Sequence, residues 1–229
     1  MNIKNKYYKA YENRYKQIYK LNELWTTNKP TPTILKIIKK YNISKNSNIL
    51  EIGCGEGRDT IYLLENGYNV LSIDYSKTVI KKCISNNKKY INNFKQIDII
   101  KNKLNKKYDF IYSIAVIHMF ITKEHRNKFY NFIYNHLNEN GIALILSMGD
   151  GIKEYTSNIN EAFDIDKRYI LNSNKEVNVA KTSCKIVNWN NFEKEIKENN
   201  LKIIDKCIIT DTPEFDKMMC VVLKKDKSI

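Results

Sequence analysis

Short apolar runs recur along the chain, and between them the apolar positions fall at helical spacing. Residues 48–52 (NILEI), 69–73 (NVLSI), 93–97 (NFKQI), 108–114 (YDFIYSI) and 142–148 read as five short, largely buried strands. Residues 58–66, 76–86 and 123–137 read as helices; Gly67 caps the first and an Asn140-Gly141 turn closes the last. Ahead of the first strand, residues 3–21 carry Tyr7, Tyr8, Tyr11, Tyr15, Ile18 and Tyr19 at helical spacing, an amphipathic helix with an aromatic face. Trp25 and the breaker NKPTP follow, then a helix over 33–41. Residues 149–187 are polar, break the rhythm and read as an insertion. Residues 190–199 return to helix, and 201–209 and 217–223 read as two final strands with Pro213 between them. Strands alternating with helices predict an α/β fold, a doubly wound, mostly parallel sheet of seven strands with helices on both faces. The last two strands are joined too briefly for a helical crossover, so they pair antiparallel.

The chain has 229 residues, 39 Lys+Arg against 25 Asp+Glu, and a formal net charge of +14. The length suits one domain over 1–229, with an N-terminal helical cap over 1–30 and a substrate cap over about 149–187. Charge of this size suggests nucleic acid, but only Arg14, Arg58, Arg126 and Arg168 are arginines and the lysines are spread along the whole chain. Arginine is the residue whose planar fork reads phosphate and guanine, so the charge is read as a solvated lysine surface and nucleic acid is not expected as partner. No run of roughly 18 apolar residues predicts a membrane span, and the charged N-terminus lacks the apolar block of a secretory signal. Five scattered cysteines without a CxxC pair read as reduced thiols, and no Cys/His cluster has metal-site spacing. A cytoplasmic protein without a metal is expected.

The strongest motif is ILEIGCGEG, residues 49–57. A strand that ends in closely spaced glycines lets the backbone approach a ligand at the next helix N-terminus, as nucleotide sites do. A dinucleotide GxGxxG fails here at Arg58, and the GK[ST] of a P-loop is absent. Glu51 and Glu56 would repel a pyrophosphate but suit a cationic ligand. S-adenosylmethionine (SAM) fits, with an ammonium, a sulfonium and no phosphate. Asp74, ending the second strand, is placed for the ribose hydroxyls, and Asp98, after the third, for the adenine amino group. Either aspartate alone is explained as well by a turn or a helix cap.

In order and spacing, ILEIGCGEG, the Asp of VLSID, the Asp of FKQID and YDFIYSIAVIHM resemble the motifs of class I SAM-dependent methyltransferases over roughly residues 30–148. NENGIALILSM resembles that family's fifth strand. The GEGRD continuation and Trp25 look most like the small-molecule branch that includes thiopurine and tellurite methyltransferases. The resemblance implies a Rossmann-like fold, SAM as cofactor and S-adenosylhomocysteine (SAH) as product. It implies that Glu51, Gly53, Cys54, Gly55 and Gly57 line the methionine part of SAM, with Ala115 approaching it. Asp74 and Tyr75 would hold the ribose and one adenine face, and Asp98 and Ile99 the adenine end. Arg58 would pair with the SAM carboxylate or Glu51, or only open its helix; Trp25 would fold over the site, or pack on the surface.

Methyl transfer from a sulfonium is an in-line displacement, so alignment and exclusion of water matter most and a base is optional. His118, after the fourth strand, is a candidate base, with an orienting role as the alternative. Asp150, in SMGDG, is the second candidate catalytic residue, with turn chemistry as the alternative. His125 and His136 are expected at the surface or in caps. Cys184, a lone thiol in KTSCK, is a candidate nucleophile or metalloid ligand. The insertion and the N-terminal helix are expected to cap the acceptor, the tyrosine face either lining a pocket or packing on the sheet. The function expected is methyl transfer from SAM to a small molecule at N, O, S or a metalloid. The alternatives are an RNA or protein methyltransferase, for which the NPPY-type tetrapeptide is missing, and a non-catalytic SAM-binding module.

Overall fold

The computed structural model describes residues 3–212 and 214–227; Pro213, read above as the break between the last strands, lies outside them. Two 3-10 turns, Ile3–Asn5 and Tyr7–Lys9, precede α1 (Ala10–Lys20), where the sequence suggested one continuous helix. The interruption at Lys6 (φ −133°) turns Tyr7 and Tyr8 into the core, where both are buried. α2 (Pro32–Lys40) begins on a proline whose missing N–H has no partner to lose there. The alternation then runs β1 (Asn48–Ile52), α3 (Arg58–Glu65), β2 (Asn69–Asp74), α4 (Lys77–Asn86), β3 (Phe94–Gln96), β4 (Tyr108–Ile114), α5 (Lys123–His136) and β5 (Leu137–Met148). The insertion holds β6 (Tyr155–Thr156), β7 (Ile165–Ile170), β8 (Lys175–Ala180) and β9 (Lys185–Ile186), and α6 (Trp189–Glu198), β10 (Leu201–Ile209) and β11 (Met218–Lys225) follow.

Seven strands form one sheet in the order β10-β11-β5-β4-β1-β2-β3. β1, β2, β3, β4 and β5 pair parallel, and β11 is antiparallel to both β5 and β10. Both faces are covered, which is why these strands read as near-continuous apolar runs. Ile49, Phe110, Leu144 and Val222 meet Ile34, Ile37, Ile38 and Leu63 from α2 and α3. Leu50, Ile111, Ala143 and Val221 meet Phe129, Ile133, Phe192 and Ile196 from α5 and α6. Among the described residues no helix is long and apolar enough to cross a membrane.

Two further expectations change. α5 stops at His136 and β5 starts at once, so Asn140-Gly141 is not a helix-closing turn. Tyr108 pairs with Leu137 and Phe110 with Ile142, so the intervening residues bulge from the ladder. A Cβ on Gly141 would stand 3.0 Å from the carbonyls of Tyr108 and Asp109, so close backbone approach demands the glycine. The insertion, read as polar and irregular, contains the β7–β8 hairpin. Its inward residues Ile170, Val177 and Val179 pack on Ile18 of α1, which joins the N-terminal helix and the insertion into one roof.

Candidate active site

β2 and β4 flank β1, and the crossovers leave β1 in opposite directions. The crevice at the carboxyl ends of these strands is where open α/β sheets bind ligands. A cavity of about 520 Å³ occupies it, floored by the residues after β1, β2 and β4 and roofed by α1, Trp25 and residues 181–184.

The glycine turn is shaped by close packing. The N–H groups of Gly53 and Cys54 donate to the Ile73 carbonyl at 2.8 and 3.1 Å. A Cβ on Gly53 (φ +75°) would fall 2.3 Å from Val116 Cγ2, so only glycine lets the ends of β1 and β4 come together here. Beside it Ala115 is itself in the left-handed region, φ +55°, with its N–H on the Leu146 carbonyl at 2.9 Å. The Gly55 N–H donates to Asp74 Oδ2 at 3.0 Å and the Ser76 N–H to Oδ1 at 2.8 Å. Burial pushes the Asp74 carboxyl up to about 6 despite these amides. Gly57 caps α3 facing away from the cavity: a Cβ there would meet Cys83 Sγ and the Phe94 ring at 3.1 Å.

The carboxylates of the turn are engaged by the protein. Glu51 lines the cavity floor, buried, and accepts from the Thr60 and Ser72 hydroxyls; burial and the Asp59 charge push its carboxyl above the usual range. Glu56 reaches up to the roof, accepting from the Trp25 N–H (2.9 Å), the Thr26 N–H (2.8 Å) and the Thr26 hydroxyl (2.7 Å). Arg58 also lines the cavity but pairs with Glu214 and Asp59, and its guanidinium donates to the Thr27 and Thr31 hydroxyls at 3.2 and 3.1 Å. At the far end Asp98 accepts from the Tyr8 hydroxyl at 2.9 Å and the Ile100 N–H at 3.1 Å, with Tyr75 edge-on to Tyr8 and Ile99 beside them.

The same cavity is also lined by Tyr11, Arg14, Trp25, His118, Arg168, residues 181–184 and Phe215. His118 is buried with no partner for Nδ1; burial, with the charges of Arg126 and Arg14, brings its pKa down to about 3, so the ring is neutral at physiological pH. Cys184 faces the cavity with its thiol pushed up by burial, the opposite of an activated thiolate. Asp150 does not line the cavity. Its carboxylate caps the Ile152 and Lys153 N–H groups at 2.9 and 2.8 Å, which hold it below the usual range, so turn chemistry accounts for it.

His125 and His136 are not surface residues. His125 Nδ1 meets the Tyr7 hydroxyl at 3.0 Å, and His136 Nε2 accepts from the Leu104 N–H at 2.9 Å, both rings buried. Sequence reasoning passed over Arg14, Arg168 and Phe215 as cavity residues. The usable signal was scarcity: in a lysine-rich chain, three of the four arginines line this cavity, and the fourth, Arg126, is buried and donates to the Ile117 and Phe120 carbonyls on either side of His118 and Met119.

The family model described as tellurite resistance protein TehB matches residues 10–203. The chain belongs to the TehB family, within the class I SAM-dependent methyltransferases. Methyl transfer from SAM is the reaction of the class I methyltransferases to which that family belongs. Among curated relatives, the ubiquinone biosynthesis O-methyltransferase of Rickettsia canadensis is 33% identical over 127 residues, 53% of this chain and 51% of that protein. The probable S-adenosyl-L-methionine-dependent methyltransferase TehB of Haemophilus influenzae is 29% identical over 113 residues, 48% of this chain and 39% of that protein. The chain thus spans 51% and 39% of the length of these two relatives. The Burkholderia thailandensis 1,6-didemethyltoxoflavin-N1-methyltransferase shares the fold, with a TM-score of 0.74 at 12% identity over 99% of this chain and 92% of that one.

Proposed function

We propose that this chain moves a methyl group from SAM to a small-molecule acceptor bound under the roof of α1 and residues 181–184. The observation that carries this reading is one cavity with two kinds of lining. The glycine turn and the acidic residues at the ends of β2 and β3 come from the sheet, while Tyr11, Arg14, Trp25 and Arg168, aromatic and cationic, come from α1, the segment after it and the insertion. The residues present suit SAM. A Cβ on Gly55 would come within 3.2 Å of the Tyr15 hydroxyl, so the glycine leaves bare backbone beneath α1, and the charged groups at the strand ends are the carboxylates of Glu51, Asp74 and Asp98, with Arg58 already ion-paired, rather than the lysines of a phosphate clamp.

Glu51 and the backbone of Gly53, Cys54 and Gly55 would hold the methionine part, with Ala115 and Arg58 alongside and Trp25 above. Asp74 and Tyr75 would take the ribose, and Asp98 and Ile99 the adenine. Bound SAM supplies a methyl carbon on a sulfonium that leaves as a neutral thioether. The protein supplies position: Glu56 holds the Trp25 segment down, Tyr8 and Asp98 join the 3-10 turn ahead of α1 to the end of β3, and the roof keeps water from the transferring methyl. A neutral His118 in the same cavity accepts a hydrogen bond from an N–H, O–H or S–H nucleophile and orients it. SAH release measured across thiols, amines, phenols, carboxylates and metalloid oxyanions, with transfer RNA and protein as comparison substrates, tests this reading. Turnover on a small molecule supports it. Turnover only on RNA or protein overturns it, and SAM binding without turnover on any of them favours the regulatory module.

A further inference from the structure

Arg14 is a buried cation without a counter-ion. It is 7% exposed, lines the cavity, and no carboxylate of the described residues forms an ion pair with it. The other three arginines are each paired: Arg58 with Glu214 and Asp59, Arg126 with Glu195 and Arg168 with Asp166. Asp166, whose field also reaches Arg14, is bound to Arg168 at 2.8 Å. Neutral groups hold the Arg14 guanidinium in place. Nε and Nη2 donate to the Ala180 carbonyl at 3.0 and 2.8 Å, and Nη2 also to the Lys181 carbonyl at 2.7 Å. The Tyr11 and Trp25 rings lie 5.2 and 5.0 Å from the guanidinium carbon. These contacts orient the fork and leave Nη1 for a ligand, but they do not cancel the charge. A buried ion left uncompensated is a cost that an arriving anion removes.

Two neighbouring features point the same way. His118 Nδ1, of a ring that lines the same cavity, is buried without a partner among the described residues. The segment that presents the two carbonyls to Arg14 runs into Thr182 at φ +62°, a conformation that a β-branched residue adopts only under constraint. Position separates Arg14 from the donor turn. Tyr15 stands over Gly55, and Arg14, one residue earlier and so about 100° around the helix, reaches instead to the end of β8.

We propose that Arg14 anchors the methyl acceptor through an anionic group, a carboxylate on a small planar molecule, and so brings its nucleophile beside Nδ1 of His118. Tyr11, Trp25 and Phe215 supply flat apolar walls for such a molecule. The inference rests on the methyltransferase reading of the cavity, and the experiment separates the two. The full chain is first titrated with SAH. The SAH complex is then titrated with benzoate and salicylate as probes, and with benzamide as the uncharged counterpart. The expected result is benzoate or salicylate binding at least tenfold tighter than benzamide, a difference that Arg14→Gln abolishes while SAH affinity stays within twofold. Arg14→Lys, which keeps the charge, retains part of it.

Benzoate, salicylate and benzamide binding alike, or none binding once SAH is in place, overturns the proposal and leaves the methyltransferase reading standing. SAH binding weakened in Arg14→Gln, with 5′-methylthioadenosine unaffected, also overturns it by assigning Arg14 to the donor's own carboxylate. Failure of the wild type to bind SAH overturns the underlying reading instead. The wild-type comparison of charged and uncharged probes needs no variant, so a misfolded Arg14→Gln still leaves a decision.

Discussion

Replacing Glu56 by alanine removes three hydrogen bonds that hold Trp25 and Thr26 against the glycine turn. Hydrogen bonds to a charged group contribute about 1.5–3 kcal/mol each, but they are not additive and water reaches this half-buried site once the carboxylate is gone. A net loss of about 2–3 kcal/mol for the segment is therefore the working figure, enough to raise its open population about 30- to 150-fold. The effect stays local, because Thr27 remains bonded to Glu214 and Thr31 to Asp59, and the sheet core is untouched. Amide hydrogen exchange is the assay: Trp25 and Thr26 should exchange faster by that factor while Leu50 and Ile111 in the central strands do not change. SAH affinity should fall with the loss of the closed roof. Unchanged exchange at Trp25 and Thr26, or faster exchange throughout the chain, would refute the view of Glu56 as the anchor of a local strap.

Three further outcomes follow from the same geometry. With Asp74 near 6, SAH affinity should fall about tenfold per pH unit below that value if only the ionised carboxylate takes the ribose, and Asp74→Asn should flatten the profile. The stability contribution of Asp74 has the opposite sign: a carboxyl raised by burial favours the fold at acid pH, and that contribution is lost as pH rises through about 6. The transfer rate should show no step from His118 between pH 5 and 9, since its pKa lies near 3; an inflection near 6.5 that His118→Asn removes would contradict this placement. Glu195→Ala strands the buried Arg126 guanidinium, which Glu195 holds at 2.6–2.9 Å, and should cost about 3 kcal/mol, lowering Tm by about 6–12 °C in a chain of this size.

The parallel sheet was legible because its strands are buried on both faces and so read as unbroken apolar runs: β1 and β4 begin and end where the pattern placed them. The donor end was legible for a related reason. Glycines and acids at strand ends are local features, and Gly53, Gly55, Asp74 and Asp98 all line one cavity. The bulge at Gly141 was hidden because a glycine needed for close backbone approach looks, in sequence, like a glycine needed for a turn. The β7–β8 hairpin was hidden because one face is exposed and largely polar, through Lys167, Tyr169, Glu176 and Asn178, while its few apolar residues meet α1 from more than 150 positions away. The roles of Glu56 and Arg58 are likewise long-range: both read as possible ligand groups, and both spend their charge on the segment that roofs the cavity.

The most direct test is isothermal titration of SAM and SAH against the wild type and Asp74→Ala. Two hydroxyl bonds to a buried carboxylate make a loss of at least about 30-fold the expected effect. Micromolar binding of both ligands to the wild type, weakened to that degree by the substitution with the fold intact, is the predicted result. No binding, or binding indifferent to Asp74→Ala, would contradict the assignment of this cavity to SAM.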